Sequence, residues 1–193
     1  MKPLWKDSEI KSKDALDQLV YRSRLIGRDA ELCVWGGGNT STKRTERDHL
    51  GREVKVLWVK GSGSDLKVSE RKDFAPLRLD DLLPLLKHGK MSDEEMVELV
   101  SRALMNPKAP RPSIEALLHA FLPFQDIDHS HADAVLALFT GGAGRRARGL
   151  VVRHAVCVVD REEGGADALA RMGVRLHALY RASDLLAGRS PSE

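Results

Sequence analysis

The stretch REVKVLWVKGSGSD, residues 52 to 65, constrains this chain most. Residues 52–60 are rich in β-branched and aromatic side chains, which suit a pleated surface, and the glycines that follow stop the run. A strand is expected over 52–60. Residues 14–29, DALDQLVYRSRLIGRD, bring Leu16, Leu19, Val20 and Ile26 near one helical face, which predicts an amphipathic helix. ELCVW (31–35) reads as a second short strand, ended by Gly36, Gly37 and Gly38. LRLDDLLPLLKHG predicts a short helix interrupted by Pro84.

MSDEEMVELVSRAL carries the clearest helical spacing: Met96, Leu99, Val100, Ala103 and Leu104, with Ser92 and Glu95 in the positions of a capping box. NPKAPRP breaks that helix, and Ser113 is placed to cap the next, SIEALLHAFL. DIDHSH then reads as a strand. Mixed helices and strands with Gly-rich turns make an α/β domain of layered helices and sheet. TGGAGRRARG (140–149) changes the texture and sets a boundary between residues 1–139 and 140–193. Beyond it, LVVRHAVCVVD, REEGGADALARMG and VRLHALY form a strand, helix and strand, as in a parallel sheet.

A net charge of +3 over 193 residues is mild. It permits anionic ligands such as sugar phosphates and does not point to nucleic acid. Cys33 and Cys157 lie in apolar stretches without CxxC spacing, so both are expected as buried, reduced thiols. The N-terminal residues lack an apolar run of signal-peptide length, and nothing approaches a membrane span. The expected location is the cytoplasm.

His129 and His131 stand two apart, and on a strand such positions project to one face, where both rings can reach one ion. Imidazole suits Zn²⁺. Asp126, Asp128 and Asp133 flank the pair as groups that would orient a ring nitrogen. Glu115 precedes the strand on the helix behind Pro112 and Ser113, whose N-terminal N–H groups favour anions. A carboxylate beside a metal can exchange a proton in enolate chemistry. His119, four residues on, shares the helical face of Glu115 and is expected to be partly buried beside Leu118 and Phe121. Two loops can cradle phosphate: GGGNTSTK, with Asn39, Thr40 and Ser41, and KGSGSD, with Ser62, Gly63 and the cation Lys60. Neither fits a Walker or Rossmann pattern. Taken singly, each of these features is as readily a solvated loop or turn.

WGGGNTSTK, LWVKGSGSDL, MSDEEMV, RPSIEALLHAFLP and DHSHADAVLAL, in this order and spacing, resemble the class II aldolase/adducin family. Within it they are most similar to the aldolase portion of the bifunctional rhamnulose-1-phosphate aldolase/alcohol dehydrogenase proteins. The resemblance covers about residues 5–139. It implies a three-layer α/β/α domain and zinc-dependent cleavage of a ketose 1-phosphate to dihydroxyacetone phosphate and an aldehyde. It also implies that His129 and His131 bind the metal, that Glu115 is the catalytic carboxylate, and that Asn39, Ser62, Gly63 and Ser113 bind the phosphate.

The family supplies a third histidine ligand further downstream. Here the match stops near Phe139, and His154 and His177 lack the sequence around that ligand. The segment from Val151 to Leu186 instead resembles the C-terminal end of orotate phosphoribosyltransferases, without their acidic phosphoribosyl-pyrophosphate loop. The expectation is a truncated aldolase-like domain on a parallel sheet cut midway, carrying an appended strand–helix–strand unit. Weak metal binding and little or no cleavage follow from a site short of one ligand. The expected partner is a small sugar phosphate, with neither nucleic acid nor membrane. One alternative is a non-catalytic, adducin-like scaffold that forms a homo-oligomer. The other is a fragment of an orotate phosphoribosyltransferase.

Overall fold

The computed structural model describes residues 4–10, 12, 14–33, 36–88, 91–132, 154–160, 162, 164–171, 173–181 and 183. The chain divides into two units, Met1–Asp133 and Ala134–Glu193. The boundary expected at 140–149, Asp133 and the segment ADAVLAL beyond Ala132 lie outside the described residues.

In the first unit Asp14 opens helix α1 (Ala15–Arg28) by accepting the Leu16 N–H at 2.8 Å, and the helix buries Leu16, Leu19 and Val20. Four strands follow: β1 (Asn39–Arg47), β2 (Glu53–Lys60), β3 (Phe74–Arg78) and β4 (Asp126–His129). They form one sheet in the order β3-β2-β1-β4, with every neighbouring pair antiparallel. Between β3 and β4 lie helices α2 (Leu79–Leu82, continued as a 3-10 turn through Lys87), α3 (Asp93–Arg102) and α4 (Ala116–Phe121). Ser92 caps α3, its hydroxyl accepting the Glu95 N–H at 3.2 Å.

The pleat sorts the core. Leu57, Val59 and Leu77 pack with Leu79, Leu82, Val100, Ala116 and Leu117 from α2, α3 and α4. Trp58 and Phe74, one residue out of phase, pack with Leu16, Leu19 and Val20 of α1. Helices therefore cover both faces of the sheet, giving the three-layer α/β/α arrangement. Leu19, fully buried, contributes about 1.5–3 kcal/mol by leaving water.

Three details of the first unit differ from the sequence reading. Glu31 to Cys33 form a turn, not a strand: the N–H groups of Leu32 and Cys33 donate to the Asp29 carbonyl and that of Glu31 to the Asp29 carboxylate, which leaves no ladder. The supposed phosphate loop from Asn39 to Lys43 is instead the start of central strand β1. The sheet is antiparallel, not parallel. Strand β3 had no clear signal because Pro76 interrupts it; as the outer strand β3 tolerates the missing N–H, and its free edge is met by Arg78 N–H to Ala103 O and Met105 N–H to Pro76 O.

In the second unit β5 (His154–Asp160), α5 (Gly165–Arg171) and β6 (Arg175–Arg181) form the expected strand–helix–strand, with β5 and β6 parallel and Val156 opposite His177. No helix among the described residues is long and apolar enough to cross a membrane.

Candidate metal centre

The site begins with register. Strand β4 runs antiparallel to β1, so Asn39 faces His129, Thr40 faces Asp128 and Thr42 faces Asp126. On the other side of β1 the register sets Ser41 opposite Val59, which continues towards Gly61 opposite Asn39. Gly38 permits this crowding. Its φ of +75° disfavours other residues, and a Cβ there would stand 2.7 Å from Cys33 Sγ and 2.9 Å from the His129 carbonyl.

A second connection brings in Glu115. Gly61 forms an isolated antiparallel bridge with Pro112, and the Ser62 N–H donates to Arg111 O at 2.9 Å. Ser113 accepts the Glu115 N–H on its hydroxyl at 3.2 Å, and α4 starts one residue later. The carboxylate of Glu115 then meets both histidines. Its Oε1 lies 3.2 Å from His129 Nδ1 and 3.9 Å from His131 Nε2. The two imidazole centroids are 4.8 Å apart. His131 lies just past the end of β4, so the two rings converge by a bend of the chain rather than by strand alternation alone.

Electrostatics follow from this contact. His129 beside Glu115 holds the carboxyl down to about 2 against the opposing effect of burial. Glu115 in turn raises the pKa of His129. Although close, the His129 Nδ1 makes no well-aligned hydrogen bond, and both amide atoms of Asn39, itself 1% exposed, lack partners. Buried polar atoms of this kind cost free energy unless something satisfies them.

His119 is more deeply placed than its sequence suggested. It is fully buried, its Nδ1 sits 2.7 Å from Ser41 Oγ, and its Nε2 has no partner. One ligand atom each from Glu115, His119 and His129 lie within 4.8 Å of one another. Burial pushes the His119 imidazole down to about 4. The spacing of four from Glu115 was the available signal; what it lacked was the hydroxyl of Ser41 on a different element.

The aspartates do not orient the rings. Thr42 Oγ1 donates to Asp126 at 2.6 Å, and Arg22 of α1 grips Asp128 through Nε at 2.7 Å, Asp126 through Nη1 at 3.1 Å and the Ser41 carbonyl through Nη2 at 2.7 Å. They fix β4 against α1 and β1. Cys33 is a buried free thiol donating to Gly37 O at 2.8 Å. Cys157 lies within β5.

Of the four phosphate candidates, the bridge gathers Ser62, Gly63 and Ser113 on neighbouring segments, and Asn39 lies at the start of β1 beside them. Ser62 and Gly63 are exposed, whereas Asn39 is buried. Lys60 is turned away from solvent, only 4% exposed, and donates to the carbonyls of Ser64 at 2.8 Å and Gly61 at 3.3 Å.

The donor set of two imidazoles and a carboxylate, with an unsatisfied buried ring nitrogen, fits a divalent cation such as Zn²⁺. Glu115, His129 and His131 are the residues that would hold it, with His119 within reach.

No family model matches the chain. The solved N-terminal class II aldolase domain of a conserved protein from Thermoplasma acidophilum is 38% identical, with a TM-score of 0.70 over 97% of this chain and 80% of that one. The uncharacterized oxidoreductase YuxG of Bacillus subtilis is 50% identical over 148 residues. That match covers 76% of this chain but 21% of the Bacillus protein, so the chain spans about a fifth of that relative. Orotate phosphoribosyltransferases give short partial matches; that of Thermoplasma volcanium is 55% identical over 40 residues, 21% of this chain and 24% of its own. On the strength of the Thermoplasma acidophilum likeness, the chain belongs to the class II aldolase family.

Proposed function

We propose that the first unit is a zinc-dependent aldol-cleavage site for a ketose 1-phosphate of the rhamnulose 1-phosphate type, yielding dihydroxyacetone phosphate and an aldehyde. The observation that carries this reading is the convergence of Glu115 on both His129 and His131. A bound divalent metal supplies Lewis acidity, which polarises the substrate carbonyl and stabilises an enediolate. Glu115, held ionised at neutral pH, exchanges the proton with the enediolate carbon through its carboxylate. Asn39, Ser62, Gly63 and Ser113 hold the phosphate and so fix the reacting carbons beside that carboxylate.

The described residues offer two imidazoles and one carboxylate, and three or four protein ligands are usual for zinc. Weak metal affinity and slow turnover follow. The substrate partner on this reading is a small sugar phosphate, with no role for nucleic acid or membrane, and the cytoplasm is the proposed location. Whatever oxidation the name of the Bacillus relative denotes belongs to a protein of which this chain covers 21%.

The test is calorimetric zinc titration together with release of dihydroxyacetone phosphate from rhamnulose 1-phosphate. Zinc-dependent release, even slow, supports the proposal. Absence of both zinc binding and release, in a protein that forms a defined oligomer by light scattering, favours the non-catalytic scaffold instead.

A further inference from the structure

Lys60 poses a problem the catalytic site does not use. An ammonium group at the end of β2 is almost wholly enclosed, and among the described residues no carboxylate pairs with it. Its hydrogen bonds go only to backbone carbonyls of the loop that follows, Gly61 and Ser64. Burial pushes its pKa down, with Glu115 the largest of the charges opposing that shift. A buried cation usually has an anion near it, because desolvation is expensive.

The loop itself is half consumed. Gly61 N–H donates to Asp73 O at 2.7 Å and Ser62 N–H to Arg111 O at 2.9 Å. The Gly61 carbonyl takes both Lys60 and the Ser64 hydroxyl, and the Ser64 carbonyl takes Lys60. The N–H groups of Gly63, Ser64 and Asp65 have no acceptor among the described residues, and Gly63 adopts a φ of +83°. A trans peptide sets its N–H opposite its C=O, so fixing the Ser64 carbonyl on Lys60 turns the Asp65 N–H the other way. Successive unpaired N–H groups around a left-handed glycine make an anion-binding concavity. The Asp65 carboxylate is engaged with the Lys67 N–H at 3.1 Å.

We propose that Lys60 is a positioning residue for anion capture: from beneath the loop it pins the Gly61 and Ser64 carbonyls inward, so that the free N–H groups of residues 63–65 receive a phosphate, whose charge Lys60 balances without touching it. The inference rests on the phosphate part of the reading above and is independent of cleavage.

The experiment is titration of the full chain with inorganic phosphate, followed by calorimetry and by backbone amide NMR. In the unaltered protein, phosphate shifts the amide resonances of Gly63, Ser64 and Asp65; no shift there overturns the proposal without need of any variant. Lys60→Met and Lys60→Gln, each checked for a cooperative melt, are expected to weaken phosphate binding at least tenfold while zinc affinity stays within twofold. Unaltered phosphate affinity in either folded variant overturns it. Phosphate binding that depends on Lys60 in a protein with no zinc-dependent cleavage sinks the aldolase reading and leaves this one standing.

Discussion

Glu115 and His129 come from different elements, a helix start and a strand end, yet their side chains lie 3.2 Å apart. The contact depends on two alignments at once: the bridge from Gly61 to Pro112 and the pairing of β4 with β1. Because Glu115 raises the His129 pKa, a proton competes with a metal for that ring over a range reaching above 6.5. Zinc affinity is expected to fall by about tenfold per pH unit once His129 is protonated, one proton being displaced per ion bound. Calorimetry from pH 8 to 6 measures this, and a flat profile would remove His129 from the ligand set.

Glu115→Gln keeps the shape of the site and removes the base. Solvent deuterium exchange into dihydroxyacetone phosphate, followed by NMR, is a more sensitive readout than cleavage in a slow enzyme. The variant is expected to lose about 10²–10⁴-fold of the metal-dependent exchange rate. Exchange at the rate of the unaltered protein would reassign the proton transfer to another group.

His119 makes stability sensitive to acid. Its pKa in the folded chain is about 4 against 6.5 in the unfolded one, so the unfolded chain binds the extra proton between those values. The contribution is fully present above pH 6.5 and is lost as pH falls towards 4, amounting to about 3 kcal/mol. His129, shifted the other way, acts above pH 6.5 and does not cancel this window. Urea melts of metal-free protein from pH 7 to 4 are expected to show the loss, and His119→Gln to flatten it. Parallel pH profiles in the two proteins would place the acid sensitivity elsewhere.

These features differed in how far they could be read from residues. Helices α1 and α3 and strand β2 announce themselves because their buried positions are apolar and evenly spaced. Strand β1 does not: Asn39, Thr40, Ser41 and Thr42 are all buried although polar, and three of them are satisfied by Ser23, His119 and Asp126, which lie far off in sequence. A polar run with Gly before it looks like a loop until those partners are known. The same reasoning explains Asp126 and Asp128. Proximity to the histidines in sequence suggested that they serve the rings, while alternation along β4 and the reach of Arg22 commit them to the opposite task. The convergence of Glu115 on the histidines was expected from resemblance, and only the fold supplies the two connections that bring it about.

Gly38 offers the sharpest test of how the backbone holds the site. Gly36 and Gly38 share a φ of +75°, but a Cβ at Gly36 meets nothing within 4 Å. Gly36→Ala therefore costs only the left-handed strain, about 1 kcal/mol. Gly38→Ala adds a clash with Cys33 Sγ at 2.7 Å and, less easily relieved, with the His129 carbonyl at 2.9 Å. Backbone must move, and the residue that moves carries one of the imidazoles. We expect Gly38→Ala to cost about 2–4 kcal/mol by urea melts, the strain plus overpacking, and to weaken zinc binding at least tenfold. Gly36→Ala is expected to leave zinc affinity unchanged. Equal effects of the two substitutions would mean that the close approach of Gly38 to His129 does not govern the geometry of the metal centre.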